Sequence, residues 1–267
     1  GRHRLGSGLP RTCPAMSKRI VLKFGTGILT TDASGLQLDR AQFTRLAAEI
    51  SALVDAGHSV IVISSAAVAA GVAALGRQKR PESLPAKQAC AAVGQSQLMR
   101  AYEESFAQHK LTAAQLLLTH DDIDSRQRRA NAENTLRELL SYPRVVPVIN
   151  ENDSVAVEEL GFGDNDQLGA EVASLCRADR YLILTRSDGL HAEGQRQSVV
   201  DDLAAARLHV TGEKGTHSTG GMGSKLDAVE FATRAGIETW ILDGMKPGRI
   251  AAALADEDTG TRFPATK

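Results

Sequence analysis

The chain is predicted to be an α/β protein built on a mainly parallel, doubly wound sheet. Three observations lead there. Short β-branched runs alternate with segments of helical period, several of the runs are apolar on both faces, and the polar, glycine-rich stretches fall where those runs end. The 267 residues are 42% hydrophobic, enough to bury a large core.

The runs IVLKF (20–24), VIVIS (60–64), AAQLLLT (113–119), VVPVIN (145–150), YLILT (181–185) and TWILD (239–243) read as strands. Between the first two, Asp39–Ala56 places Phe43, Leu46, Ala47, Ile50, Leu53 and Val54 on one helical face. Asp39 is suited to cap its start, and Gly57 to close its end. Further helices are expected over Ala86–His109, Ser125–Leu140, Asp166–Ala178 and Gly223–Ala235. The nearly uncharged stretch Ser59–Gly76 approaches membrane-spanning length. Its β-branched first part, two serines and Ala-rich second part instead predict a buried strand running into a buried helix. Residues 1–15 are basic and rich in Gly and Pro without an apolar run, so they read as a disordered arm or a cloning remnant, not a secretory signal. Residues 16–267 then form the folded domain, and Met16 is a plausible natural start.

Charge and composition narrow the function. The formal net charge is -1 with acids and bases interspersed, and aromatic residues are only 4%, so neither a nucleic-acid nor a membrane partner is expected. Three cysteines without C-x-x-C spacing signal neither a disulfide framework nor a zinc site, and favour a reducing, cytoplasmic setting. No metal ligands are assigned.

In doubly wound sheets, ligands bind beyond the carboxyl ends of the strands. Four strand-end or helix-start segments stand out there. Lys23-Phe24-Gly25-Thr26-Gly27 combines a lysine in a buried strand with glycines that let backbone approach an anion. Ser64-Ser65-Ala66-Ala67-Val68-Ala69-Ala70-Gly71 opens a helix of small residues. Asn150-Glu151-Asn152-Asp153-Ser154, followed by Gly161-Phe162-Gly163-Asp164-Asn165-Asp166, has the carboxylates and amides to grip a small zwitterion. Thr219-Gly220-Gly221-Met222-Gly223-Ser224-Lys225 has the form of a phosphate cradle with one mobile cation. Each alone also suits ordinary turns and helix caps. Walker A, G-x-G-x-x-G, H-E-x-x-H and G-x-S-x-G patterns are absent, which removes a nicotinamide dehydrogenase reading.

Two lysines on separate glycine-rich loops suit phosphoryl transfer, where positioning and charge neutralisation dominate. No catalytic base stands out. A carboxylate acceptor, with a pKa of about 4.3, needs none; a hydroxyl acceptor would call on Asp153, Asp164 or Asp166.

In their order, KFGTG, SSAAVAAG, AAVGQSQLM, VVPVINENDSVA, GFGDND, STGGMGSK and RAGIETWILDG resemble the glutamate 5-kinase branch of the amino acid kinase family, from about Arg19 to Arg262. The resemblance implies a three-layer α/β/α sandwich that uses ATP and Mg²⁺ to phosphorylate L-glutamate in proline biosynthesis. Proline inhibition and a homo-oligomer follow from the same resemblance. It assigns Lys23 and Lys225 to charge neutralisation and Asp166 to orienting them. Ser65, Asp153 and Asn165 match glutamate-binding positions; Lys23, Thr185 with Arg186, and Thr219, Gly220, Gly221, Met222, Gly223, Ser224 and Lys225 match nucleotide-binding positions. Three departures bear on function. Ala66 stands where a glycine is usual, Arg186 where an aspartate commonly follows the strand, and the sequence stops where many bacterial members continue into a PUA domain. The alternatives are a kinase for another amino-acid carboxylate and a non-catalytic relative that binds proline or glutamate.

Overall fold

The computed structural model describes residues 16–31, 35–157, 165–210 and 221–266. The expectation for residues 1–15 lies outside them.

The chain opens with β1 (Arg19–Phe24), a short α1 (Thr26–Leu29) and α2 (Arg40–Asp55). The Asp39 side chain accepts from the amides of Ala41 and Gln42, as the sequence predicts, and Gly57 follows the helix at φ +89°. Next come β2 (Ser59–Ile63), α3 (Ala67–Ala74) and α4 (Leu84–Ala107). The suspicious apolar stretch is therefore a strand and an eight-residue helix. No helix among the described residues is long and apolar enough to cross a membrane. After β3 (Thr112–Leu118), α5 (His120–Asp124) and α6 (Arg126–Leu139) lead to β4 (Val145–Glu151). Helix α7 (Asn165–Leu175) precedes β5 (Arg180–Thr185). It ends three residues earlier than the sequence suggests, because Arg177 takes φ +52° and the Ala178 amide bonds back to Ala173 O.

The remainder holds a two-stranded ribbon of β6 (His191–Ala192) and β7 (Gln195–Arg196), then α8 (Leu203–Leu208), α9 (Met222–Arg234), β8 (Glu238–Asp243), α10 (Arg249–Leu254) and β9 (Gly260–Phe263). The main sheet runs β3-β4-β2-β1-β5-β8-β9, with every pairing parallel except β8 with β9. Strand β1 is central, so its carboxyl end lies between those of β2 and β5.

Each face of the sheet carries its own core. Ile20, Leu22 and Phe24 of β1 join residues of α2, α4 and α10 on one side. Val21, one residue out of phase, joins Leu168 and Val172 of α7 and Leu226 and Val229 of α9 on the other. This alternation makes three layers of helix, sheet and helix. It also turns Lys23, in phase with Val21, toward α7 and α9.

Helices α3 and α4 cross with their backbones in contact. A Cβ on Gly94 would stand 1.7 Å from Ala67 O, and one on Gly71 would stand 1.7 Å from Cys90 O. Only glycine fits at either position. The crossing lies beside Gln95, which is bonded to Asn150 at the end of β4.

Candidate active site

Three elements converge on one buried carboxylate. Asp166, in the first turn of α7, is fully buried. Its Oδ1 lies 2.6 Å from Nζ of Lys23 on β1, and its Oδ2 accepts a 2.9 Å hydrogen bond from Nζ of Lys225 in the first turn of α9. Both ammonium groups are almost wholly shielded from water. Two lysines held on one carboxylate make a concentrated ionic cluster in a low-dielectric setting. Tyr181 of β5 fixes the helix start: its hydroxyl donates to the backbone oxygen of Asp166 at 2.7 Å. That ring needs Gly169, where a Cβ would come within 2.2 Å of the Tyr181 hydroxyl.

The glycine-rich turn after β1 lies beside the end of β5. Phe24 pairs in register with Leu184, and the Gly25 amide donates to Leu184 O. Arg186 reaches back over this turn. A Cβ on Gly27 would sit 2.9 Å from Arg186 Nε, so the glycine makes room for the guanidinium stem. Thr185, its neighbour, accepts from the Gly244 amide at 2.8 Å and so ties the end of β5 to the turn after β8. Gly221 precedes α9 with an extended backbone, followed by Met222, Gly223, Ser224 and Lys225 in its first turn. Thr219 and Gly220 lie outside the described residues.

On the β2 and β4 side the site changes character. Asn165 donates from Nδ2 to Ser64 O at 2.5 Å and to Asn150 Oδ1 at 2.7 Å, with Ser65 Oγ at 3.4 Å. Asn150 Oδ1 also accepts from the Glu151 amide at 2.9 Å. Beyond them opens a cavity of about 530 Å³, lined among others by Ala67, Gln95, Glu151, Asn152 and Asp153. Burial, reinforced by the neighbouring Glu151 carboxylate, pushes the Asp153 carboxyl up to about 7. Three acids, Glu103, Glu151 and Asp153, against one base, Arg100, in this lining favour a cationic guest. Ala66, between Ser65 and α3, takes φ +80°, and its methyl belongs to the apolar core shared with α4. A left-handed conformation costs a residue with a Cβ roughly 1 kcal/mol, which is the physical reason glycine suits this place.

The chain matches the "Amino acid kinase family" model over residues 18–243. The chain belongs to the amino acid kinase family. Curated relatives of this kinase carry the name glutamate 5-kinase: one from Geobacter metallireducens is 45% identical over 254 residues, covering 92% of this chain and 67% of the relative. One from Myxococcus xanthus is 44% identical over 264 residues, covering 96% and 69%, and one from Thermus thermophilus is 42% identical over 262 residues, covering 95% and 70%. The kinase thus spans a little over two thirds of the length of these relatives.

The structure brings Lys23, Asp166 and Lys225 into direct contact and places Asn165 against Ser65. Asp153 stands apart from that contact, in the cavity wall. Sequence reasoning gave no role to Tyr181 or Gln95, and named Asn150 only as part of a polar run suited to a zwitterion. Asn150 lies at the carboxyl end of β4 and Gln95 in the AAVGQSQLM segment, so both stood in stretches the sequence singled out. Tyr181, inside an apolar strand, carried no signal.

Proposed function

We propose that this kinase transfers the γ-phosphoryl group of ATP to the side-chain carboxylate of L-glutamate, forming L-glutamyl 5-phosphate in the first step of proline biosynthesis. The observation that carries this reading is the state of Asp166. Both of its oxygens are engaged by lysines, so of the aspartates a hydroxyl acceptor would call on, the one beside the lysines is not available as a general base. A hydroxyl acceptor would need one, whereas a carboxylate of pKa about 4.3 arrives ionised. The curated relatives' names agree with a carboxylate acceptor.

In this reading Lys23 and Lys225 neutralise the transferring phosphoryl group, and Asp166 holds the two ammonium groups at a fixed separation. Such preorganised charge acts without reorganisation at the moment of transfer. Thr185, Arg186 and the segment Thr219 to Lys225 hold the nucleotide. Ser65 and Asn165 hold the acceptor, and Asp153 accepts from its ammonium. Mg²⁺ would be carried by the substrate nucleotide rather than by Asp166, which is committed to lysines, and would supply further charge neutralisation there. Residues 16–267 form one kinase domain in this reading. Proline sensitivity, self-association and a cytoplasmic setting rest on the resemblance of the motifs.

The second reading is a kinase for a different amino-acid carboxylate, such as N-acetylglutamate or aspartate. The acidic cavity wall favours a free ammonium over an acylated amine. Purified protein with ATP, Mg²⁺ and hydroxylamine, which traps acyl phosphates, separates the cases. Hydroxamate formed with glutamate but not with N-acetylglutamate or aspartate supports the proposal. Turnover confined to another acid replaces the substrate. Binding of glutamate or proline without turnover of any acid replaces the enzyme with a regulator.

A further inference from the structure

Four side-chain amides form a continuous line from the outer edge of the cavity to the acceptor site. Gln95 Nε2 donates to Gln115 Oε1 at 2.9 Å. Gln95 Oε1 accepts from Asn150 Nδ2 at 2.9 Å. Asn150 Oδ1 accepts from Asn165 Nδ2 at 2.7 Å, and Asn165 Nδ2 also donates to Ser64 O at 2.5 Å. The inner end of this line has a polarity that the backbone dictates. Ser64 offers a carbonyl, so Asn165 must present its nitrogen; Glu151 offers an N–H to Asn150, so Asn150 must present its oxygen. Asn150 is almost fully buried, so its nitrogen needs an acceptor, and Gln95 supplies it.

We infer that Gln95 is a positioning residue for the acceptor: the backbone sets the polarity of the two asparagines, and Gln95, by accepting from Asn150 Nδ2, holds Asn150 and through it Asn165 in place, which leaves Asn165 Oδ1 to receive a donor group from the substrate. The two short bonds consume both Nδ2 hydrogens of Asn165, so only its oxygen remains for that donor. The ammonium of an amino acid is the matching group. The glycine contact between α3 and α4 places Gln95 for this task, because a wider crossing would carry it away from β4. The inference rests on the acceptor-site reading above, although the amide line itself does not.

The test compares wild type, Gln95→Met and Gln95→Glu. Methionine keeps the length but removes the acceptor, whereas glutamate keeps an oxygen facing Asn150 Nδ2. For Gln95→Met, the glutamate KM should rise about tenfold with the ATP KM unchanged and kcat within about threefold; Gln95→Glu should recover most of that loss. In ¹⁵N-labelled protein without substrate, the Asn165 side-chain amide resonances, assigned with Asn165→Ser, should shift in Gln95→Met and return in Gln95→Glu. Unmoved Asn165 resonances overturn the inference whatever the kinetics do, because a direct Gln95–substrate contact would leave the substrate-free signal alone. A lowered thermal midpoint with unchanged glutamate KM also overturns it, assigning Gln95 to stability alone. If wild type phosphorylates no acid while the Asn165 resonances respond as expected, the acceptor reading fails and the amide line stands.

Discussion

In the proposed reading, the phosphoryl end of the site is held by ions and the acceptor end by neutral amides. Lys23 and Lys225 meet Asp166 at 2.6 and 2.9 Å across three elements, while Asn165, Asn150 and Gln95 hold one another through bonds whose direction a backbone carbonyl and a backbone amide decide. The ionic end can serve any highly charged phosphoryl group, since a point charge has little directional preference. The amide end discriminates, because a donor and an acceptor cannot be exchanged without leaving a buried group unpaired. Generic chemistry and specific recognition are thus built from different materials on either side of β1.

The sharpest way to break this contrast is to remove a charge. Lys225→Ala should lower kcat at least about a hundredfold while shifting the glutamate KM far less; steady-state kinetics in both substrates check the split. Gly94→Ala attacks the scaffold of the acceptor end. Its Cβ would meet Ala67 O at 1.7 Å, and a loss of about 3 kcal/mol in a urea titration is expected. Asp153→Asn should raise the glutamate KM about tenfold with kcat retained.

The same residue gives the acceptor end a pH dependence. With its carboxyl at about 7 against an ordinary 3.8, the folded protein binds this proton more tightly than the unfolded chain does. Stability from this group therefore falls as pH rises from about 4 to 7. The hold on an ammonium, which needs the ionised form, should weaken as pH drops from 8 to 6. Glutamate KM measured across that window should climb several-fold toward acid pH in wild type and stay flat in Asp153→Asn. The smallest effect is expected at Gly27→Ala, which must displace the flexible Arg186 side chain and should raise the ATP KM about threefold.

Much of this frame was legible in the sequence because the strands are buried on both faces. Runs such as VIVIS and YLILT have few other uses, and Asp39 and Gly57 bracket α2 in plain view. Strand β9 was not legible: GTRF holds one large apolar residue, and it pairs at an edge where β8 supplies the context. The β6–β7 ribbon consists of two-residue strands joined at Glu193 and Gly194, both at positive φ, too short for any period to show. Near Asp166, Lys23 and Lys225 stood out in the sequence through the glycines around them. The amide line did not, because an Asn or Gln has a role only once the polarity of the backbone facing it is known.

In the proposed reaction a glutamate side-chain carboxylate oxygen attacks phosphorus. Glutamate carrying ¹⁸O in both oxygens of that carboxylate, incubated with the kinase, ATP, Mg²⁺ and hydroxylamine, tests it by mass spectrometry of the released phosphate. Hydroxylamine cleaves an acyl phosphate at carbon, so the account predicts phosphate bearing one ¹⁸O together with the side-chain hydroxamate. Unlabelled phosphate, the product of water attacking ATP, would contradict it.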